Sequence, residues 1–257
     1  MHSSSKRAAE KYKHGARFTN KYGEWFTVIE YLDFNNVEII FDIDSNSRVV
    51  KSKDILRSSL RGYNSKTIVG VACFGYGPYV GYNSDGSRTS AYDCYYKMID
   101  RCYNENSRRK NPTYADCTVS DEWLNYQNFA EWYYRQPGAD LPNFQLDKDL
   151  TRSRVYGGEF CYFIPKEINC TIRQVLVEKQ LQLPRGVASS GLKSNPYVCT
   201  YKDKKGDSLS YFQTVEEARH HYLVKTKEKL LRVAKSYGNS IHKDVLELLE
   251  KFDWEGL

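Results

Sequence analysis

Residues 144–169 read FQLDKDLTRSRVYGGEFCYFIPKEIN, which is an apolar run carrying two carboxylates, then a turn, then a closing proline and asparagine. Asp147 and Asp149 are two residues apart, and on a strand this spacing points both side chains to one face. Paired carboxylate oxygens are ligands that Mg²⁺ and Mn²⁺ prefer. The stretch therefore predicts a metal site at Asp147 and Asp149, to which Glu159 or Glu167 could add a ligand.

A purely structural role for the same two aspartates is also open. Short polar side chains such as aspartate commonly cap turns by accepting a backbone N–H. Basic side chains that could pair with the carboxylates are also close by in the sequence, at Arg152, Arg154 and Lys166. The pattern leaves a metal site, a turn cap and a set of ion pairs as alternatives.

The composition indicates a folded protein, and its net positive charge permits an anionic partner. The chain has 257 residues, of which 40% are hydrophobic, and 38 Lys and Arg against 32 Asp and Glu give a net charge of +6. Basic patches attract nucleic acid only where they cluster. The seven cysteines contain no CxxC pair, which disfavours zinc ribbons and disulfide scaffolds. Without a long apolar run or leader, we expect a cytoplasmic protein that does not enter a membrane.

Hydrophobic periodicity predicts an α+β protein that begins with a β-rich unit. The runs EWFTVIEYL and NVEIIFDI are rich in β-branched and aromatic residues and are separated by DFNN. The first fifteen residues are polar and basic and predict a flexible arm, and residues 68–80 predict a buried strand leading into a loop. The expected parts are 1–15 (arm), 16–66 (β-rich), 67–175 (helical centre), 183–238 (sheet plus helix) and 239–257 (terminal helix).

Two helices are predicted in the centre of the chain. One begins after Ser90 as N-cap, with apolar residues at helical spacing. The other runs from about Asp121 to Arg135, with Ser120 as N-cap and acidic residues in its first turn. The aromatic residues of the second helix are typical of a core-facing stripe.

The C-terminal third predicts short strands followed by two helices. Residues 187–212 read as strands with KDKKGD as a hairpin turn, and Thr214 with Glu217 fits a capping box. Gly238 is expected to end that helix, and an amphipathic helix follows. The last helix would dock on its own protein or form a dimer contact.

Three segments of the centre together resemble the phage HNH-type endonuclease family. They are YKMIDRCYN, then NPTYADCTVSDEWLNYQNFAEWY, then FQLDKDL followed by VYGGEFCYFIPKEIN. Residues 185–235, with SYFQTVEEARHHY, are similar to the AP2-type DNA-binding module. The resemblance implies a helical HNH-like (ββα-metal-like) centre between the β-rich unit and an AP2-like three-stranded sheet plus helix.

The resemblance also implies double-stranded DNA as partner and metal-assisted phosphodiester hydrolysis with Mg²⁺ or Mn²⁺. In that chemistry a base, commonly histidine, activates water. Asn169 matches the closing asparagine of the family pattern, whereas Lys148 stands where histidine often occurs. No histidine lies between residues 15 and 219, so either His220 or His221 reaches in from the AP2-like helix, or another group acts as the base, or the segment does not cut.

Basic side chains near these motifs are candidates for phosphate contacts. A cluster after the first central helix is the best single patch, although basic residues at a helix C-terminus are also favoured by the dipole. Lysines in the KDKKGD turn could grip phosphates without reading sequence. The candidates are Lys97, Arg101, Arg108, Arg109, Lys110, Lys148, Arg152, Arg154, Arg185, Lys202, Lys204 and Lys205.

Three functions remain open at this stage. The first is a phage-type DNA-binding protein related to HNH endonucleases, able to nick or cleave DNA with a metal. The second is a catalytically inactive scaffold that binds and inhibits or redirects a host protein, which the missing histidine and the 22 tyrosines favour. The third is a packaging factor that binds DNA without sequence preference. A phage origin would place the protein in the host cytoplasm.

Overall fold

The computed structural model describes residues 3–176, 182–203, 206–207, 209–252 and 254. Helices and several small sheets alternate along the chain, which confirms the mixed α and β class. The chain divides into two compact units, residues 1–115 with 119–131 and residues 116–118 with 132–257. None of the helices in the described part is long and apolar enough to span a bilayer.

The first unit contains a four-stranded antiparallel sheet whose strands lie side by side in chain order. Alternating residues of its two long strands face a core, as the period-two pattern predicts. Phe26 and Val28 are buried on one strand, and Val37, Ile39 and Phe41 are buried on the next. The strands are β1 (Arg17–Thr19), β2 (Trp25–Asp33), β3 (Asn36–Phe41) and β4 (Arg48–Val50).

The N-terminal residues differ from the flexible arm that the sequence predicts. Helix α1 (Ser3–Lys11) forms there, and Tyr12 immediately after it is buried among the core residues of the sheet. Apolar contact by Ala8 and Tyr12 gives this short polar segment the burial that it needs for order. Helix α2 (Ser52–Leu56) adds Ile55 to the same core.

Residues 68–80 do not form the predicted strand. Val69 and Gly70 both have positive φ, +52° and +74°, and they turn the chain back so that Ile68 bridges Ala72. A left-handed pair of residues cannot continue an extended ladder. The apolar Gly-rich composition here therefore makes a tight turn, in which Ile68 and Ala72 are buried and Gly70 is exposed.

The central helices also depart from their predicted limits. Helix α3 (Ser90–Tyr103) is capped by Thr89, whose hydroxyl accepts from the Tyr92 N–H, so the predicted cap at Ser90 is one residue late. Helix α4 (Glu105–Lys110) follows it, with Asn104 as cap.

The single helix predicted over residues 121–135 is broken into two pieces. A 3₁₀ turn (Asp121–Leu124) is followed by α5 (Tyr126–Tyr133), with Asn125 extended between them. The break is stabilised because Leu124 and Tyr126 exchange backbone hydrogen bonds with Cys73 on either side of Asn125.

The second unit contains two antiparallel strands followed directly by a helix. The strands β6 (Phe144–Asp147) and β8 (Tyr162–Pro165) pair in register, and α6 (Lys166–Leu176) begins at the next residue. We call residues 144–176 the finger. Ile164, Ile168 and Ile172 of the finger join a common core with the C-terminal helices. Two of the shortest strands are β5 (Thr118–Val119) and β7 (Val155–Tyr156), each of two residues.

The C-terminal elements agree with the sequence pattern. Both halves of the capping box between Thr214 and Glu217 are present at the start of the long helix. Val245 and Leu249 of the last helix are fully buried in the core that also holds the finger, so this helix docks on its own unit. The elements are β9 (Val187–Ser189), β10 (Tyr197–Cys199), β11 (Lys202–Asp203), β12 (Gly206–Asp207), β13 (Ser210–Phe212), α7 (Val215–Ser236) and α8 (Lys243–Lys251). Three of the strands form a sheet in the order β13-β10-β9.

Candidate functional site

The finger loop does not hold its two aspartates on one strand. β6 ends at Asp147, and Lys148 has φ −124° and ψ −10°, which takes the backbone out of the extended region. Asp149 then begins a 3₁₀ turn that runs to Thr151. This turn places the side chain of Leu150 in the core. The expectation that both carboxylates point from one strand face is wrong.

Asp147 acts as the cap of this turn. One of its carboxylate oxygens, Oδ2, accepts the Leu150 N–H at 2.9 Å, and the residue is almost fully buried. Burial, and after it the negative charge of Asp149, raise the pKa of the Asp147 carboxyl to about 7, although the hydrogen bond from the Leu150 N–H opposes the rise. Of the roles open from the sequence, the structure places Asp147 in the turn cap.

Lys148 brings a buried ammonium group to the two carboxylates. Its Nζ lies 2.6 Å from Asp149 Oδ1 and 5.4 Å from the centre of the Tyr156 ring. Burial lowers the pKa of Lys148, but the hydrogen bond to Asp149 and the charge of that carboxylate outweigh burial, so the pKa ends above its usual value. Lys148 is therefore a cation at neutral pH, which rules it out as a general base.

The carboxylates as arranged do not fit a divalent metal. The Lys148 ammonium already lies against Asp149, and Asp147 is buried and bonded to the turn. Glu167, one predicted additional ligand, pairs with Lys229 at 2.8 Å. Throughout the described ranges, no cluster of three or more His, Cys, Asp or Glu side chains could hold a metal ion.

Asn169 holds the helix of the finger to its first strand. Its Nδ2 donates to Gln145 Oε1 at 2.9 Å, which links α6 to β6. Its Oδ1 is buried and has no hydrogen-bond partner in the part of the chain that the structure describes. The described contact gives Asn169 a structural function in the finger.

The predicted histidines line a cavity at another sheet. The His221 ring lies 5.2 Å from Phe212 of β13, and both line a cavity of about 420 Å³. None of the residues lining this cavity belongs to the finger. They are Asn195, Tyr211, Phe212, Gln213, Glu217, His220 and His221.

His242 is a histidine near the finger that sequence reasoning missed. Its ring lies 5.2 Å from the ring of Tyr162, and the Tyr162 Cα pairs with that of Asp147 across the two strands. His242 Nδ1 accepts the Asp244 N–H and caps α8. No local sequence motif predicts this contact, because 80 residues separate Tyr162 and His242 along the chain.

The predicted cluster at the end of the first central helix is strongly exposed. Arg108, Arg109 and Lys110 are three of the six residues of α4, and this helix buries none of its residues. Arg108 donates to the Ala115 carbonyl, and Arg109 lies 3.3 Å from Glu105. We call Arg108, Arg109 and Lys110 the α4 basic cluster.

The α3 candidates are tied to their own helix. Lys97 pairs with Asp93 at 2.6 Å, and Arg101 donates from Nε to the Lys97 carbonyl at 3.0 Å. The Arg101 guanidinium also lies 5.7 Å from the centre of the Tyr114 ring. Lys97 and Arg101 therefore each have a partner within α3.

The other basic candidates are spread over the second unit. Arg152 has φ +57°, and its guanidinium lies 5.0 Å from the centre of the Phe252 ring. Arg154 is exposed, and Arg185 donates to Gln174 at 3.2 Å. The backbone of Lys202 lies in β11, while Lys204 and Lys205 fall outside the described residues.

Comparison of the chain with protein-family models, with curated proteins and with solved structures finds no match in any of the three.

Proposed function

We propose that the protein binds double-stranded DNA through the α4 basic cluster and does not use the finger for metal-dependent cleavage. The exposure of this cluster carries the proposal. Three consecutive cations on a helix with no buried residue form a dense positive charge on the surface of the first unit. Arginine and lysine at such a site contact phosphate oxygens, which gives affinity without reading sequence.

The local contacts of the cluster support a binding surface over a purely structural one. The helix dipole favours basic residues in the last turn and accounts for part of their presence. Only Arg109 has an ion pair described within the cluster, and both it and its partner Glu105 are mostly exposed. Exposed pairs contribute little to stability, so this one leaves the Arg109 guanidinium available to a phosphate.

The contacts of the finger support binding without cutting. Its lysine is engaged with Asp149, and its buried Asp147 caps a turn. A cleaving site would need open metal ligands and a group that takes a proton from water. The resemblance to HNH-type endonucleases is in our proposal a resemblance of scaffold.

Removing two charges of the cluster should weaken DNA binding and flatten its salt dependence. The double variant Arg109→Ala, Lys110→Ala leaves the Arg108 contact to Ala115 intact. Because each phosphate contact contributes about 0.9 to the slope of log affinity against log salt, we expect the slope to fall by about 1.8. Fluorescence anisotropy with a labelled duplex over a salt series measures both quantities.

A matched control removes the same charge elsewhere. Lys235 and Lys243 are exposed on the C-terminal helices, and Lys235→Ala, Lys243→Ala should leave the slope within error of the wild-type value. An equal decrease of the salt slope in both double variants would show a general charge effect and contradict a site on α4. Absence of duplex binding by the wild-type protein would overturn the proposal and favour a protein partner instead.

Supercoiled plasmid should stay supercoiled when incubated with the protein and Mg²⁺, Mn²⁺ or EDTA. The expectation follows from the engaged carboxylates of the finger. Gel electrophoresis over a time course measures it, beside the Asp147→Ala variant. Nicking that requires metal and is lost in Asp147→Ala would contradict our proposal and make the finger an active nuclease.

A further inference from the structure

The turn between β1 and β2 is held by a buried asparagine. Asn20 Oδ1 accepts the N–H groups of Tyr22 and Glu24, each at 2.9 Å, and Nδ2 donates to Glu24 Oε2 and to the Leu60 carbonyl, each at 2.7 Å. Gly23 adopts φ +83°, which lets the chain reverse. Because both ends of the Asn20 amide are bonded, the turn is fixed in shape.

Two large aromatic side chains project from this fixed turn into solvent. Tyr22 is 52% exposed, and Trp25, the first residue of β2, is 49% exposed. The alternation of the strand turns Trp25 outward because its neighbour Phe26 faces the core. Exposed aromatic side chains on a rigid element are typical of a binding surface.

Cations lie against both aromatic rings. The Arg61 guanidinium is 4.0 Å from the centre of the Tyr22 ring, and the Lys21 Nζ is 5.1 Å from it. The Arg17 guanidinium is 5.3 Å from the centre of the Trp25 ring. We call Tyr22, Trp25, Arg17, Lys21 and Arg61 the turn patch.

The charge of the turn patch is positive after its ion pairs are counted. Arg17 pairs with Asp42, and Arg61 lies 3.3 Å from Glu24. Three cations against two carboxylates leave one net positive charge, and no ion pair of Lys21 is described within the turn. Each guanidinium has five N–H donors, so one carboxylate contact leaves donors for a phosphate.

We propose that the turn patch binds single-stranded nucleic acid, with unpaired bases stacking on Trp25 and Tyr22 and phosphates meeting the three cations. Stacking on aromatic side chains beside a basic track is the usual basis of sequence-tolerant single-strand binding. A duplex hides its base faces, so this ligand differs from the one proposed for α4. The rings in contact with cations fit an anionic partner better than an apolar protein surface.

Removing the Trp25 ring tests the proposal. Anisotropy with a labelled oligo-dT of about 12 nucleotides, a length within the usual range for such sites, gives Kd. We expect Trp25→Ala to weaken binding about tenfold and Trp25→Tyr, which keeps an aromatic face, to restore most of it. Lys21→Gln should lower the salt slope by about 0.7, the value for one phosphate contact to a single strand.

Phe34→Ala is the matched control. Phe34 is 54% exposed in the β2–β3 turn, and no cation is described over its ring within this unit. It should leave Kd for oligo-dT unchanged. Equal Kd values for Trp25→Ala and the wild type, or no oligo-dT binding by the wild type, would overturn the turn patch as a site.

Two further comparisons distinguish the turn patch from the α4 basic cluster and show whether its ligand is RNA or DNA. Arg109→Ala, Lys110→Ala should weaken duplex binding and leave oligo-dT binding unchanged, while Trp25→Ala should do the reverse. Stronger binding of oligo-rU than of oligo-dT would assign the turn patch to RNA, and the opposite order to DNA. Parallel loss of duplex and single-strand binding in Trp25→Ala would contradict two separate sites.

Discussion

Replacing Lys148 by methionine should lower the free energy of unfolding by about 2–3 kcal/mol at pH 8. The Lys148 side chain is 5% exposed and its partner Asp149 is 27% exposed, so Lys148 is shielded from water more completely than Asp149. Removing one partner of a buried pair costs roughly 3–5 kcal/mol, and the partial exposure of Asp149 reduces that figure. Urea denaturation, followed by circular dichroism, measures the change.

A surface pair in the same unit provides the control. Lys229 lies 2.8 Å from Glu167, but both side chains are appreciably exposed, at 26% and 40%. Lys229→Met should therefore change the free energy of unfolding by less than about 1 kcal/mol. If Lys148→Met costs no more than Lys229→Met, Lys148 is not the buried counter-ion of the finger.

The double variant Lys148→Met, Asp149→Asn isolates the pair itself. Once Asp149 is neutral, the loss of the ammonium no longer leaves an unpaired charge, so the double variant should be more stable than Lys148→Met alone. The coupling energy between the two substitutions, measured in a double-mutant cycle, should be about 1–2 kcal/mol. Additive effects of the two substitutions would show that Lys148 stabilises the finger by packing instead.

Local rules predicted the elements whose signal lies within a few residues. The alternation of β2 and β3 and the capping box at Thr214 were confirmed because strand burial and helix capping are set by near neighbours. The break at Asn125 was missed because it depends on the backbone hydrogen bonds of Leu124 and Tyr126 to Cys73, which is far away along the chain. The turn at Val69 is local, with Ile68 and Ala72 bonded to each other across it, but a positive φ at a β-branched valine is not what an apolar run predicts.

The geometry around Asp147 and Asp149 could not be predicted from the sequence. The spacing of Asp147 and Asp149 has meaning only if the strand continues, and the backbone of Lys148 ends it. The resemblance identified Lys148 at the position where histidine often occurs, but it did not predict the contact of Lys148 with Asp149. The burial of Leu150 in the core is what forces the turn, and core membership across a unit cannot be read from a local pattern.

Replacing Asp147 by asparagine should raise the free energy of unfolding at pH 8 by about 2–4 kcal/mol. Burial, with the charge of Asp149, raises the pKa of Asp147 to about 7 in the folded protein, against about 3.9 in an unfolded chain. Each pKa unit corresponds to about 1.4 kcal/mol. Asparagine removes the cost of ionising a buried carboxyl, and its Oδ1 can still accept the Leu150 N–H.

The stability gained by Asp147→Asn should depend on pH. Because the folded pKa is raised, the contribution of Asp147 to stability is fully present below about pH 4 and is lost as the pH rises to about 7. The gain from Asp147→Asn should therefore be near zero at pH 4 and largest at pH 8 in urea titrations. Asp116→Asn, at an exposed position, should show no such trend. A variant less stable than the wild type at pH 8 would mean that the Asp147 anion is stabilised, which would reopen a cation site in the finger.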